Sequence, residues 1–266
     1  MSSSSGIARG GSSTAAGQPI AHARGPRPDP ALGVFETLLV LSGRPVELEA
    51  HLARLDASLR AVFGARVPAR VGELVLEHAR GAELARLRLT VAPDGEGELA
   101  ADVAVTAVER SVVQPAWDRG AELAPVVVAG GIGQHKWADR RLLAGAEADI
   151  APRVPLLVDG DGAVLEASRG NLFVVRDGIL VTPPADGRIL PGVTRRRVLL
   201  LAEALDIPVR EEPVPFDRLP EAAEVFLTGA VRGIEPVRGC DGTLVASEER
   251  ITAALARELE QAWGLA

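Results

Sequence analysis

Residues 121–148 read AELAPVVVAGGIGQHKWADRRLLAGAEA, and the fold turns on how this stretch is divided. An apolar strand is predicted over Ala124 to Ala129. Gly130-Gly131-Ile132-Gly133 breaks it. Lys136 follows, and a helix is predicted from about Trp137 to Ala148. The lysine would then stand after a glycine-rich break at a helix start, with its amine aimed into a cleft.

C-terminal to this stretch, two hairpins are marked by Asp-Gly turns. Leu156-Leu157-Val158 turns through Asp159-Gly160-Asp161-Gly162 into Val164-Leu165-Glu166. Leu172-Phe173-Val174-Val175 turns at Asp177-Gly178 into Ile179-Leu180-Val181. A helix from Thr194 to Leu205, a strand near Val225-Phe226-Leu227 and a helix from Ser247 to about Trp263 follow.

On the N-terminal side, Val34 to Val40 reads as a strand and Ser42-Gly43-Arg44-Pro45 as a turn. Leu48, Leu52, Leu55, Leu59, Val62 and Phe63 recur at helical spacing. A second helix is predicted over Val71 to Ala79. Strands at Leu87 to Val91 and Val103 to Val105 are joined by Pro93-Asp94-Gly95. Strands that do not alternate regularly with helices make the chain α+β. Residues 1–30, rich in Ser, Gly, Ala and Pro, read as a disordered tail. Residues 31–112 form a small α/β unit, 113–123 (with Gln114-Pro115) a linker, and 124–266 a larger unit.

The chain has 266 residues, 47% hydrophobic and 24% charged, as soluble globular proteins do. Its net charge of -7 argues against a nucleic-acid surface, which is usually basic. No apolar run reaches the roughly 18 residues of a bilayer span. A single cysteine, Cys240, excludes an internal disulfide and cysteine-built metal sites. His51, His78 and His135 lack zinc-ligand spacing, so no metal is expected. A reducing cytoplasm fits this composition.

Of 29 basic residues, one is lysine: Lys136. Arginine stays protonated and cannot serve as an amine nucleophile, whereas a lysine amine can condense with a carbonyl. A lysine surviving against such an arginine bias is a candidate for that chemistry, although chance survival gives the same count. Glu166, at the end of a hairpin strand, could sit beside a pyridine nitrogen and keep it protonated, but taken alone it reads more readily as an exposed or salt-bridged glutamate. Thr194 is a good N-cap, and free amides at a helix start bind phosphate; an ordinary capped helix looks the same. Thr228-Gly229-Ala230-Val231 could form a second such turn. Arg54 falls off the apolar stripe of its helix and by spacing reads as solvated.

Together these segments resemble the class IV aminotransferases, pyridoxal 5′-phosphate (PLP) enzymes of fold type IV. The pieces are Gly33-Val34-Phe35-Glu36-Thr37, His51-Leu52-Ala53-Arg54-Leu55, Lys136, Glu166 with Asn171-Leu172-Phe173, Leu190-Pro191-Gly192-Val193-Thr194-Arg195, and Phe226-Leu227-Thr228-Gly229-Ala230 through Pro236-Val237. The resemblance implies a small α/β domain followed by a larger pseudo-barrel domain, in a homodimer acting on a small amino substrate. It implies that Lys136 carries the cofactor and acts as base, and that Glu166 pairs with the pyridine nitrogen. Arg54, Val193 and Thr194 would bind the phosphate, and Thr228, Gly229 and Ala230 would line the phosphate and substrate side.

Within the family, Thr37 and the run Phe226 to Val237 are most similar to the 4-amino-4-deoxychorismate lyases, with Thr37 as a candidate proton donor. Asp139 departs from the asparagine common there, and Pro26 to Pro30 replaces the strand that usually opens the family's fold. A D-amino acid or branched-chain transaminase is the alternative, and a non-catalytic protein of the same fold a third reading.

Overall fold

The computed structural model describes residues 20–115, 120–244 and 249–265. Its first sheet contains β1 (Val34–Leu41), β2 (Arg44–Pro45), β3 (Leu84–Pro93) and β4 (Leu99–Ala107), all antiparallel in the order β2-β1-β3-β4. Helices α1 (Leu48–Phe63) and α2 (Val71–Ala79) cover one face. The near-continuous apolar run of β1 has a physical reason: both its faces are buried. Leu38 and Val40 pack on Leu55, Leu59 and Val75 of the helices. Leu39 and Leu41 belong to a second core with Phe173, Phe226 and Leu255.

The rest of the chain folds as α3 (Arg110–Val113), β5 (Ala121–Val127), α4 (Arg141–Ile150), β6 (Val154–Val158), β7 (Ala163–Ala167), β8 (Gly170–Arg176) and β9 (Ile179–Thr182). It continues through α5 (Val193–Ala204), β10 (Val209–Glu211), β11 (Val214–Pro215), β12 (Glu224–Gly229), β13 (Gly233–Cys240), β14 (Thr243–Leu244) and α6 (Arg250–Trp263). Strands β8, β12, β13, β5, β6 and β7 pair in turn, and β7 pairs back to β8. That closes a six-stranded barrel, and closure leaves these strands no free edge. Leu123, Leu156, Leu172, Val174 and Leu227 form part of the buried core between them. The architecture is α+β, with a small open sheet beside a barrel.

Several expectations need correction. Residues 20–30 are not a disordered tail. Ile20 is buried, and Ala21 and Ala23 exchange backbone hydrogen bonds with Val127. The Arg27 guanidinium donates to the carbonyls of Ala129 and Gly131. Backbone groups at the end of β5 need partners, and this segment supplies them; composition carries no trace of that long-range pairing. Residues 1–19 lie outside the described residues. The expected linker is shorter, because β5 begins at Ala121 and α3 occupies 110–113.

Nor does a helix follow Lys136 directly. The Phe35 N–H donates to the Lys136 carbonyl at 2.8 Å, and the Ala138 N–H to Gly33 at 2.9 Å. Pairing with β1 holds Lys136 to Ala138 extended, so α4 begins only at Arg141. There the Asp139 carboxylate accepts from the Arg141 N–H at 3.0 Å. Helix α5 begins at Val193 with Gly192 as its N-cap, so Thr194 lies inside the first turn. Helix α6 starts at Arg250; Ser247, its expected start, lies outside the described residues. Among the described residues no helix is long and apolar enough to cross a membrane.

Candidate active site

The crossover carrying Lys136 lies between the small sheet and the barrel, because Lys136 to Ala138 pairs with β1 while α4 runs on into the barrel's β6. A cavity of about 480 Å³ opens there. Thr37, Arg54, Lys136, Glu166, Val193, Thr194, Thr228, Gly229 and Ala230, all expected from the sequence to act together, line this one space. They come from β1, α1, the crossover, β7, α5 and the end of β12, so no short segment could have shown the assembly.

Strand alternation decides which residues of β1 reach the cavity. Phe35 and Thr37 face it. Glu36 points to the other side, where it is buried beside His51 and Arg54. Arg54 grips Glu36 with two hydrogen bonds, Nε to Oε1 at 2.8 Å and Nη2 to Oε2 at 2.5 Å. His51 Nδ1 lies 2.7 Å from Glu36 Oε2. Arg54 is therefore not the solvated arginine its helical position suggested. Its third hydrogen bond, Nη1 to the Pro191 carbonyl at 3.2 Å, ties α1 to the loop that starts α5. Burial opposes ionisation of Glu36, but Arg54 and His51 outweigh it and hold its pKa at about 2. Arg54 is thus a fixed cation at one end of the cavity.

The first-turn amides of α5 lie at the same end, and no side chain caps them. Glycine is required just before them: a Cβ on Gly192 would meet Asn171 Oδ1 at 2.0 Å. Asn171 in turn donates to Glu166 Oε2 at 3.1 Å and to the Leu190 carbonyl at 2.9 Å. Glu166 also accepts from the Leu190 N–H at 3.2 Å. Burial pushes its pKa up to about 8, because the Leu190 N–H bond and the unbonded charges of Lys136 and Arg54 offset only part of the lost hydration. The Lys136 amine lies 4.8 Å from the centre of the Phe35 ring. Burial, then the Arg54 charge, brings its pKa down to about 8.

These residues fit PLP. Its phosphate suits Arg54 and the amides of Val193 and Thr194 at a helix N-terminus. A ring nitrogen carrying a proton suits Glu166, a buried carboxyl with no cation bonded to it among the described residues. Its aldehyde suits the Lys136 amine. Thr228 lines the same cavity, and its buried hydroxyl has no hydrogen-bond partner among the described residues. Among the described residues no cluster of three or more His, Cys, Asp or Glu could hold a metal.

Several contributors escaped sequence reading. Glu36 had a signal, a lone charge in an apolar strand. Asn171 was visible only as part of a motif. Ser168, Arg88, Arg169, Arg232 and Glu235 also line the cavity. Arg88 stacks 3.8 Å from the centre of the Phe35 ring and has no carboxylate partner among the described residues.

A barrel closed by six strands, a small sheet beside it and a buried lysine between them define a PLP-dependent enzyme of fold type IV. The chain belongs to the class IV aminotransferase family, whose sequence model matches residues 33–240. A hypothetical aminotransferase from Mycobacterium tuberculosis, in its PLP-bound form, shares the fold at a TM-score of 0.78 and 23% identity, covering 94% of this chain and 98% of that one. The 4-amino-4-deoxychorismate lyase from Pseudomonas aeruginosa superposes at a TM-score of 0.72 with 25% identity, over 92% and 95% of the two chains. The branched-chain-amino-acid aminotransferase of Salmonella typhimurium is 42% identical over 90 residues, 34% of this chain and 29% of that protein. The chain thus spans under a third of that curated relative's length.

Proposed function

We propose that the chain uses PLP on Lys136 to convert 4-amino-4-deoxychorismate into 4-aminobenzoate and pyruvate. The observation that carries this reading is the placement of Thr37. Its side chain opens on the cavity that holds the Lys136 amine, two residues along β1 from the Phe35 ring beneath that amine.

When bound, the cofactor supplies a sink for the electron pair left as a carbon beside the substrate's nitrogen loses its proton. The chain's residues do the rest. Arg54 and the first turn of α5 hold the phosphate, and Glu166 keeps a proton at the ring nitrogen. The Lys136 amine, with its pKa brought down to about 8, is an available base near neutral pH. The Thr37 hydroxyl donates a proton to the departing enolpyruvyl group. One C–H and one C–O bond break, the ring becomes aromatic, and no oxidant or amino acceptor is consumed. The enzyme works as a homodimer, and sedimentation at twice the chain's mass checks that.

Branched-chain-amino-acid aminotransferases among the curated relatives favour a second reading, amino transfer. The two differ in need for an acceptor. Pyruvate formation from aminodeoxychorismate without added keto acid is expected. Thr37→Ala lowers it by about 10²–10⁴-fold while PLP still binds. Turnover only with 2-oxoglutarate, unchanged in Thr37→Ala, makes the protein a transaminase.

A further inference from the structure

Away from the phosphate end, the cavity wall carries charge that nothing so far explains. Arg169, in the turn after Glu166, donates to Glu235 through Nε at 3.1 Å and Nη2 at 2.5 Å. That two-pronged grip uses both oxygens of a carboxylate only 6% exposed. Arg232 reaches the same carboxylate at 3.6 Å, beyond hydrogen-bonding distance. Two guanidinium groups thus share one carboxylate, leaving a net positive charge, and Arg232 keeps its donors uncommitted to Glu235. Next to Arg169 in sequence, Ser168 lines the cavity and is more than nine-tenths buried, and its hydroxyl has no hydrogen-bond partner among the described residues. Arg140, on the same wall, is paired with Glu147 and so adds little.

An arginine about a third exposed to solvent, as Arg232 is, can satisfy itself with water. A buried hydroxyl without a partner cannot, and its desolvation stays uncompensated until a ligand arrives. A carboxylate offers two oxygens that accept from a guanidinium fork and from a hydroxyl together. An apolar side chain at this place would leave Arg232 and Ser168 unsatisfied and partly desolvated.

We propose that Ser168 and Arg232, steadied by the Arg169–Glu235 pair, form a subsite for a second carboxylate. The preferred substrates are then amines bearing two carboxylates, and Arg232 is the residue that sets this preference. The inference rests on Lys136 as the reacting amine, which places this wall beside the substrate.

The test compares two ring acids differing by one carboxylate, isophthalate and benzoate, titrated calorimetrically into the PLP-loaded protein. Isophthalate binds about 10–100-fold more tightly, the range of charge-assisted hydrogen bonds. Arg232→Gln brings the ratio close to one, and Arg232→Lys, which keeps the charge, restores part of it. A ratio near one in the wild type, or an unchanged ratio in Arg232→Gln, overturns the subsite. Should Arg232→Gln not fold, Ser168→Ala carries the test, with the ratio expected to fall about 2–10-fold and an unchanged ratio overturning the proposal. Borohydride reduction separately reports whether PLP sits on Lys136. Its failure to attach there overturns the underlying reading, whereas a failed ratio with PLP attached overturns the subsite alone.

Discussion

Glu36 and Glu166 are both buried carboxyls in one site, yet their surroundings drive them in opposite directions. Glu36 is surrounded by Arg54 and His51, and its pKa falls to about 2. Glu166 has amide donors but, among the described residues, no cation bonded to it; burial outweighs the charges of Lys136 and Arg54 and raises it to about 8. For Glu36 the folded value lies below the ordinary glutamate value of 4.5, so the folded state prefers the ionised form. Its contribution is fully present above about pH 4.5 and is lost as pH falls toward 2, on the order of 3 kcal/mol in all. Glu36→Gln is expected to flatten acid unfolding over that window, measured by denaturation at stepped pH. An unchanged acid limb removes Glu36 from the account. Glu166→Gln is expected to keep PLP yet lose roughly 10²–10⁴-fold in kcat, since an amide cannot hold a proton at the ring nitrogen. Near-normal kcat in the folded variant takes Glu166 out of the chemistry. With one lysine in the chain, Lys136→Arg should fold and bind no reducible cofactor, because charge and bulk remain but the amine does not.

Between elements, the loop before α5 is the tightest joint. A Cβ on Gly192 would meet Asn171 Oδ1 at 2.0 Å and Arg195 Cβ at 3.1 Å. Gly192→Ala should therefore push Asn171 off Glu166 and shift the first turn of α5. PLP affinity is expected to fall by at least about tenfold, a change of about 1.4 kcal/mol, in an equilibrium titration; an unchanged affinity means that the loop yields freely. Such joints mark the limit of what the sequence could tell. The hairpins β6–β7 and β8–β9 were legible because their turns are local and Asp-Gly residues define them. The two- and three-residue strands β10 and β11 were not, since they exist only through pairing with β9 and β7. The same limit displaced the helix after Lys136, whose first residues are held extended by β1. At the site, the motifs located the residues, but composition and period could not show that Arg54 points at the barrel. Its direction comes from Glu36 and the Pro191 carbonyl, both distant from it in sequence.

At the scale of the whole molecule, the cavity is a joint as well as a site. Arg54 belongs to the helices of the small sheet, Glu166 to the barrel, and Val193 and Thr194 to a helix that also touches α1. The Arg197–Glu47 ion pair, at 2.6 Å, spans α5 and the residue that precedes α1. A ligand held from both sides stabilises the joint rather than either part. By mass action, PLP at a hundredfold excess over its dissociation constant adds about 2.7 kcal/mol to the folded state. For a chain of this length that is a rise in Tm of about 5–10 °C. Differential scanning calorimetry with and without PLP should show one transition moving upward as a unit. Lys136→Ala should keep part of the shift, from the phosphate contacts alone, and lose it on dialysis, because no covalent link retains the cofactor. Two transitions, of which PLP moves only one, mean instead that the small sheet and the barrel unfold independently and that Arg54 does not hold the phosphate.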